Sequence, residues 1–130
     1  MVALDANTIS HALKGLGRVK RAIEERYPSD LAIPSIVACE LEFGTLRSRN
    51  PAARRRELDR LLSVLTVLPF DGPAADRAAR LRFDLERAGS KIGPLDTLIA
   101  GTALAHGATL VTHNTREFSR VPGLQVEDWF

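Results

Sequence analysis

Four acidic residues stand where packing alone does not call for an acid. Asp5 closes the short apolar run Val2-Ala3-Leu4. Glu40 lies in a helix-like stretch from Ile36 to Arg47, and at about 3.6 residues per turn Ile36, Glu40 and Phe43 share a face. Glu40 thus interrupts an apolar stripe, whereas Glu42 points to roughly the opposite side and reads as a solvated surface acid. Asp96 sits in the first turn of the most apolar helix of the chain, which opens Gly93-Pro94-Leu95. Glu117 follows Thr112-His113-Asn114, and Asn114 ends a strand-like run just as Asp5 does. Each acid alone has a plain structural explanation: a turn aspartate, a snorkelling glutamate, a helix N-terminus that favours negative charge. Together they converge on one rim. Close carboxylates repel, so an ionised cluster needs a cation between them. Hard oxygen donors suit Mg²⁺, with Mn²⁺ as a substitute. No Cys/His spacing suggests zinc. No GxxxxGK loop is present, which argues against an NTPase.

The elements that must hold these acids alternate between strand and helix. Val2-Ala3-Leu4 is read as a strand, followed by a helix with Ile9, Leu13 and Leu16, capped by Thr8 or Ser10 and interrupted by Gly15 and Gly17. An amphipathic stretch from Val19 to Tyr27 stops at Pro28. Leu31 to Pro34 is a second strand, and Ser35 reads as the N-cap of the helix from Ile36 to about Arg47. Pro51 opens a helix with Leu58, Leu61, Leu62 and Leu65 on its apolar side. Thr66 to Phe70 is a third strand. A helix after Asp71-Gly72-Pro73 lines Ala74, Ala78, Leu81, Leu85 and Ala88 on one face and stops at Gly89. The helix Leu95 to Ala105 is apolar nearly all round and should be buried. Thr109 to Thr112 and Leu124 to Glu127 are the last strands. This alternation implies parallel βαβ units and an α/β fold with helices on both faces. In open sheets of this kind ligands bind beyond the carboxyl ends of the strands, where Asp5 and Asn114 fall.

The chain has 130 residues, of which 45% are hydrophobic and 26% charged, an ordinary balance for one domain over residues 1–130. Cys39 is the one cysteine, so no internal disulfide forms; it reads as a core residue. The opening lacks the basic region and long apolar run of a signal peptide, and no stretch reaches the ~20 apolar residues that span a bilayer. A soluble, cytoplasmic protein without membrane contact is expected. The net charge is only +2, but Arg47, Arg49, Arg54, Arg55, Arg56 and Arg60 crowd one segment. They form either a solvated helix face or a phosphate-facing patch. His113 reads as a loop histidine, and His11 and His106 as ordinary helix residues.

The chain resembles PIN-domain ribonucleases, most closely the VapC-type toxins of VapBC toxin–antitoxin pairs. The resemblance runs through Leu4-Asp5-Ala6-Asn7, Ser35 to Gly44, Gly93 to Ala100, Leu110 to Phe118, and a tail from Arg120 through Gly123-Leu124 to Glu127-Asp128-Trp129. It implies a three-layer α/β/α fold around a mainly parallel sheet of four to five strands. It also implies Mg²⁺-dependent hydrolysis of structured RNA, tRNA among the candidates, by a metal-activated water. By this likeness Asp5, Glu40 and Asp96 are the core acids, with Asp5 and Asp96 as direct metal ligands. Many PIN domains carry a fourth acid where this chain has Asn114; Glu117 is the substitute. Asn7, Thr8 and Asn114 would support the site by hydrogen bonds. Arg47, Arg49, Arg54, Arg55 and Arg56 would meet RNA phosphates. The implied partners are a cognate VapB-type antitoxin and the RNA substrate, with the chain as a homodimer that forms a heterotetramer or larger complex. Two further readings follow from the same residues. One is a catalytically weak module that acts through antitoxin binding and operator regulation, which the neutral Asn114 favours. The other is DNA cleavage by the same site.

Overall fold

Strands of two to four residues suffice here because the central ones are buried on both faces. The computed structural model describes residues 1–130. The strands are β1 (Val2–Leu4), β2 (Leu31–Pro34), β3 (Thr66–Leu68), β4 (Thr109–Val111) and β5 (Val126–Glu127). They form one all-parallel sheet in the order β3-β2-β1-β4-β5. Ala3, Leu4, Ala32, Ile33, Leu110 and Val111 are fully inaccessible, as expected for the middle of a parallel sheet covered twice. Val2 pairs with Leu31 on one side and Thr109 on the other. The chain thus moves outward from β1 to β3, then jumps back across β1 to β4.

The connections are α1 (Ala6–Leu13) and α2 (Gly17–Glu24), then α3 (Ser35–Arg47) and α4 (Pro51–Val64), then α5 (Gly72–Arg87) and α6 (Pro94–Ala105), and finally α7 (Thr115–Phe118). Right-handed crossovers put α1 to α4 on one face and α5 to α7 on the other. This is the expected three-layer arrangement, with five strands. No helix is long and apolar enough to cross a membrane.

Several local expectations are corrected. The cap of α1 is Asp5, not Thr8 or Ser10. Gly15 and Gly17 adopt φ of 67° and 56°, which ends α1 at Leu13 and leaves Leu16 exposed rather than on the core face. The second helix stops at Glu24, and a 3₁₀ turn at Pro28–Asp30 replaces its expected end. Pro34, not Ser35, caps α3, and the Ser35 hydroxyl instead accepts the Phe70 N–H at 3.1 Å. The buried side of α3 is Val37, Leu41 and Thr45. Phe43 is half exposed, so Glu40 borders the buried stripe rather than interrupting one made with Phe43. Cys39 is exposed, not in the core.

The α5–α6 layer is the tightest contact. A Cβ placed on Gly101 would lie 2.6 Å from the Ala78 Cβ, so α6 packs on α5 with no room for a methyl group. Gly101→Ala therefore overpacks the layer and costs roughly 1–3 kcal/mol.

Candidate active site

The sheet order reverses between β1 and β4, and the crevice beyond their carboxyl ends is where α/β sheets bind ligands. Asp5 is anchored in it twice. Its N–H donates to the Val111 carbonyl at 3.1 Å, and its Oδ1 accepts the Thr8 N–H at 2.9 Å. The cap thus fixes the aim of the carboxylate while using one of its two oxygens. Buried Thr8 donates its hydroxyl to Val111 O at 3.3 Å, tying α1 to β4. Asp5 is therefore both a capping residue and a crevice residue.

Asp96 comes from the other face. Helix α6 leads into β4 and runs opposite to it, so its N-terminus lies at the same rim. The Thr97 hydroxyl donates to Gly93 O at 2.9 Å and closes that turn. Glu117, at the start of α7, reaches the same turn: Gly93 N–H donates to its Oε1 at 2.6 Å. Asn114 Nδ2 donates to its Oε2 at 2.7 Å. Buried Thr112 steadies the loop by accepting the Asn114 N–H at 3.0 Å. A Cβ on Gly93 would stand 3.3 Å from Asp96 Oδ2 and 3.5 Å from Glu117 Oε1. A side chain at this position would crowd the Asp96 carboxylate and touch that of Glu117.

Charge tells the same story. Burial raises the pKa of Asp96 to about 7, helped by its hydrogen bond to Glu117 and the charges of Glu117, Glu40 and Asp5. Glu117 is held below the usual range, first by the Gly93 N–H, then by Asn114 and Asp96. The two carboxyl groups are thus pushed in opposite directions, Asp96 up and Glu117 down. Glu40 is pushed up by burial and then by the negative charge of Asp5. No ion pair reaches Asp5, Glu40 or Asp96. As the side chains stand, no three acids close on a single point at ligand distance. The donor set is nonetheless all hard oxygen, and its carboxylates disfavour one another's charge. A divalent cation fits both conditions.

A groove of about 310 Å³ leads away from Glu40 between α1, α3 and α4, lined by Asn7, Lys14 and Arg54 among others. Arg54 also pairs with Glu57 at 3.3 Å. The other arginines are less available or more remote. Arg55 is gripped by both oxygens of Glu42 and by Asp59, and this pairing holds the Glu42 carboxyl below its usual range. Glu42 is therefore a tertiary ion-pair partner, not a free surface acid. Arg47 lies over the Phe43 ring at 5.2 Å. Arg49, Arg56 and Arg60 are exposed. Gly93, Thr97, Thr112 and Lys14 were not anticipated as parts of the site. The signal for Gly93 is its place at the head of the motif Gly93 to Ala100, which also reads as a plain helix start.

The PIN domain family model matches residues 2–124. A relative from Salmonella typhimurium, named tRNA(fMet)-specific endonuclease VapC, is 37% identical over 129 residues, covering 97% of this chain and 96% of the relative. Ribonuclease VapC2 from Rickettsia felis is 41% identical over 99 residues, 76% of this chain and 74% of that one. Among solved structures, VapBC2 from Rickettsia felis bound to a DNA fragment from its promoter superposes with a TM-score of 0.92 at 35% identity, covering all of both chains.

Proposed function

On the premise that the chain belongs to the PIN-domain family and, within it, to the VapC group, we propose that it is a Mg²⁺-dependent endoribonuclease, the toxin half of a toxin–antitoxin pair. The observation that carries this reading is the acid cluster at the sheet's reversal point, where burial and the neighbouring carboxylates push the Asp96 pKa up to about 7.

Asp5 and Asp96 would hold the metal, with Glu40 and Glu117 closing the site. A bound divalent ion supplies charge at the phosphoryl oxygens and lowers the pKa of a coordinated water. The protein's own residues do the rest. Asp5 is immobilised by its cap, so one ligand is in place before anything binds. Asp96 acts as a ligand in its ionised form, which its raised pKa disfavours below about pH 7. Glu117 is aimed by Gly93 and Asn114, which makes Asn114 a support for an acid rather than a substitute for one. Glu40 is more basic than an ordinary glutamate; it orients the attacking water and takes its proton at a carboxylate oxygen. That water forms a bond to phosphorus as the P–O bond to the leaving ribose breaks in line. Lys14 and Arg54 along the groove meet the flanking phosphates. Asn7 lies between them and the acids as a hydrogen-bonding group, and Thr8 secures Asp5.

The test is cleavage of purified structured RNA, tRNA first because the Salmonella relative is named for it. Matched DNA is the control, since the acids alone do not read the 2′-OH. Cleavage of RNA with Mg²⁺ or Mn²⁺, its loss in EDTA, and its loss in Asp96→Asn are expected. The partners follow from the same membership: a VapB-type antitoxin, with the chain as a homodimer in a heterotetramer or larger assembly. The Rickettsia felis structure, VapBC2 bound to a promoter DNA fragment, supports the antitoxin partner. The alternative, a catalytically weak module that works through antitoxin and operator, predicts tight antitoxin binding with no RNA cleavage by the wild-type protein.

A further inference from the structure

The segment after β5 folds back onto both walls of the crevice. The Phe130 ring lies between two imidazoles: His11 at a centroid distance of 4.2 Å and 20° between planes, and His113 at 4.3 Å and 9°. His11 belongs to α1, the helix that Asp5 caps. His113 adjoins Asn114, which holds Glu117. One carboxylate fixes the geometry of the sandwich. Asp128 Oδ2 takes His113 Nδ1 at 3.0 Å, and its Oδ1 accepts the Phe130 N–H at 3.0 Å. From α2, Arg18 donates to the Phe130 main-chain oxygen at 2.9 Å, and the Arg26 guanidinium lies 4.0 Å from the Trp129 ring centre.

The two walls need such a link unequally. The α1 wall is bound into the sheet through Asp5 and Thr8. The opposite wall is an exposed loop at His113 to Arg116 followed by the four-residue α7. We propose that Phe130 is a positioning residue for the acid cluster. Its ring spaces α1 from the loop that carries Asn114 and Glu117, and so sets where the Glu117 carboxylate stands relative to Asp5. A displaceable plug in a base-stacking slot is the rival for such a sandwich. The anchors on Asp128, Trp129 and the Phe130 backbone argue for a fixed spacer.

This inference rests on the reading of the cluster as an RNA-cleaving site, so its test has one readout that cleavage does not touch. Phe130→Ala and Phe130→Trp are compared with wild type in the full-length chain, at temperatures where thermal melts show all three folded. Phe130→Ala is expected to lower kcat about tenfold or more with KM within about twofold, because misplacement by ~1 Å costs up to about a hundredfold. Phe130→Trp restores most of it. In metal-free protein, the Asn114 side-chain amide and Gly93 amide NMR signals should shift in the alanine variant and return in the tryptophan variant. If wild type cleaves no RNA the catalytic reading fails, and these signals still decide the positioning role. Unchanged signals, unchanged kcat, or a gain in RNA affinity in Phe130→Ala would each overturn it. Should Phe130→Ala not fold, the exposed His113→Ala removes one wall of the sandwich and must show the same losses, with His113→Phe restoring them.

Discussion

Glu40 and Glu42 stand two residues apart on α3 and are treated in opposite ways. Glu42 turns toward α4 and finds Arg55, which lowers its pKa. Glu40 turns toward the crevice and finds another carboxylate, which raises it together with burial. The contrast extends to the regions they belong to. Along the α3–α4 hairpin, Arg54 and Arg55 each have an acid in reach. At the sheet rim, like charges are brought together with no positive partner among the ion pairs. A satisfied pair explains itself as structure, worth about 0–1 kcal/mol at this exposure. An unsatisfied cluster costs stability, and the cost is explained only by something that binds there.

The sharpest way to test that contrast is Asp96→Asn. It should reduce RNA cleavage by at least about a thousandfold, roughly 4 kcal/mol of transition-state stabilisation. It should also stabilise the metal-free protein. The folded pKa of Asp96 lies above its unfolded value, so the unfolded chain sheds this proton first. Stability therefore falls as pH rises from about 4 to about 7, and the full penalty is present above 7. At pH 8 in EDTA the variant should gain on the order of 1–2 kcal/mol, a melting shift of roughly 3–6 °C, and at pH 4 almost nothing. A destabilised variant at pH 8 would mean that the rim is not strained by charge.

Next in size is the helix pair itself. Glu40→Gln should lower kcat about a hundredfold, while Glu42→Gln stays within about twofold of wild type and costs at most about 1 kcal/mol of stability. Equal losses in kcat would erase the distinction. Third, Mn²⁺ affinity by calorimetry should rise up to about tenfold per pH unit below 7 and flatten above it, with about one proton released per ion. A pH-independent affinity would remove Asp96 from the ligand set. The smallest effect separates two adjacent arginines. Arg54→Ala should raise KM for RNA several-fold and reduce the salt slope by about one. Arg55→Ala, already committed to Glu42 and Asp59, should leave the slope unchanged.

Much of this site can be read without coordinates, and the reason is physical. An acid at the end of an apolar strand, beside a buried stripe or at the head of an apolar helix is conspicuous against its background. That holds for Asp5 and Asp96, whereas the stripe that singles out Glu40 runs through Phe43, which is half exposed. The parallel sheet and its cover of helices on both faces follow from the strand–helix alternation, whereas the strand order comes only with the coordinates. What escapes is tertiary. The Glu42–Arg55 grip depends on how α4 folds back on α3, and no spacing along one helix displays it. The role of Gly93 depends on Glu117 arriving from residues 24 positions later. Ser35 looks like a cap because serine caps helices, but Pro34 already supplies the extended residue and Phe70 claims the hydroxyl. The stack on Phe130 needs β5 at the sheet edge before His11 and His113 can be seen as neighbours.

The pairing of Val2 with Thr109 also sets a timetable. The strand that delivers Asp5 is made well before its β4 neighbour. Until β4 and α7 emerge, one side of the reversal point does not exist, and neither Asn114 nor Glu117 is available to it. At about 5–20 residues per second, translation from β1 to β4 takes on the order of ten seconds. Parallel pairing over such a separation then folds slowly. The acid cluster is therefore incomplete until β4 and α7 have been made and have paired with what precedes them.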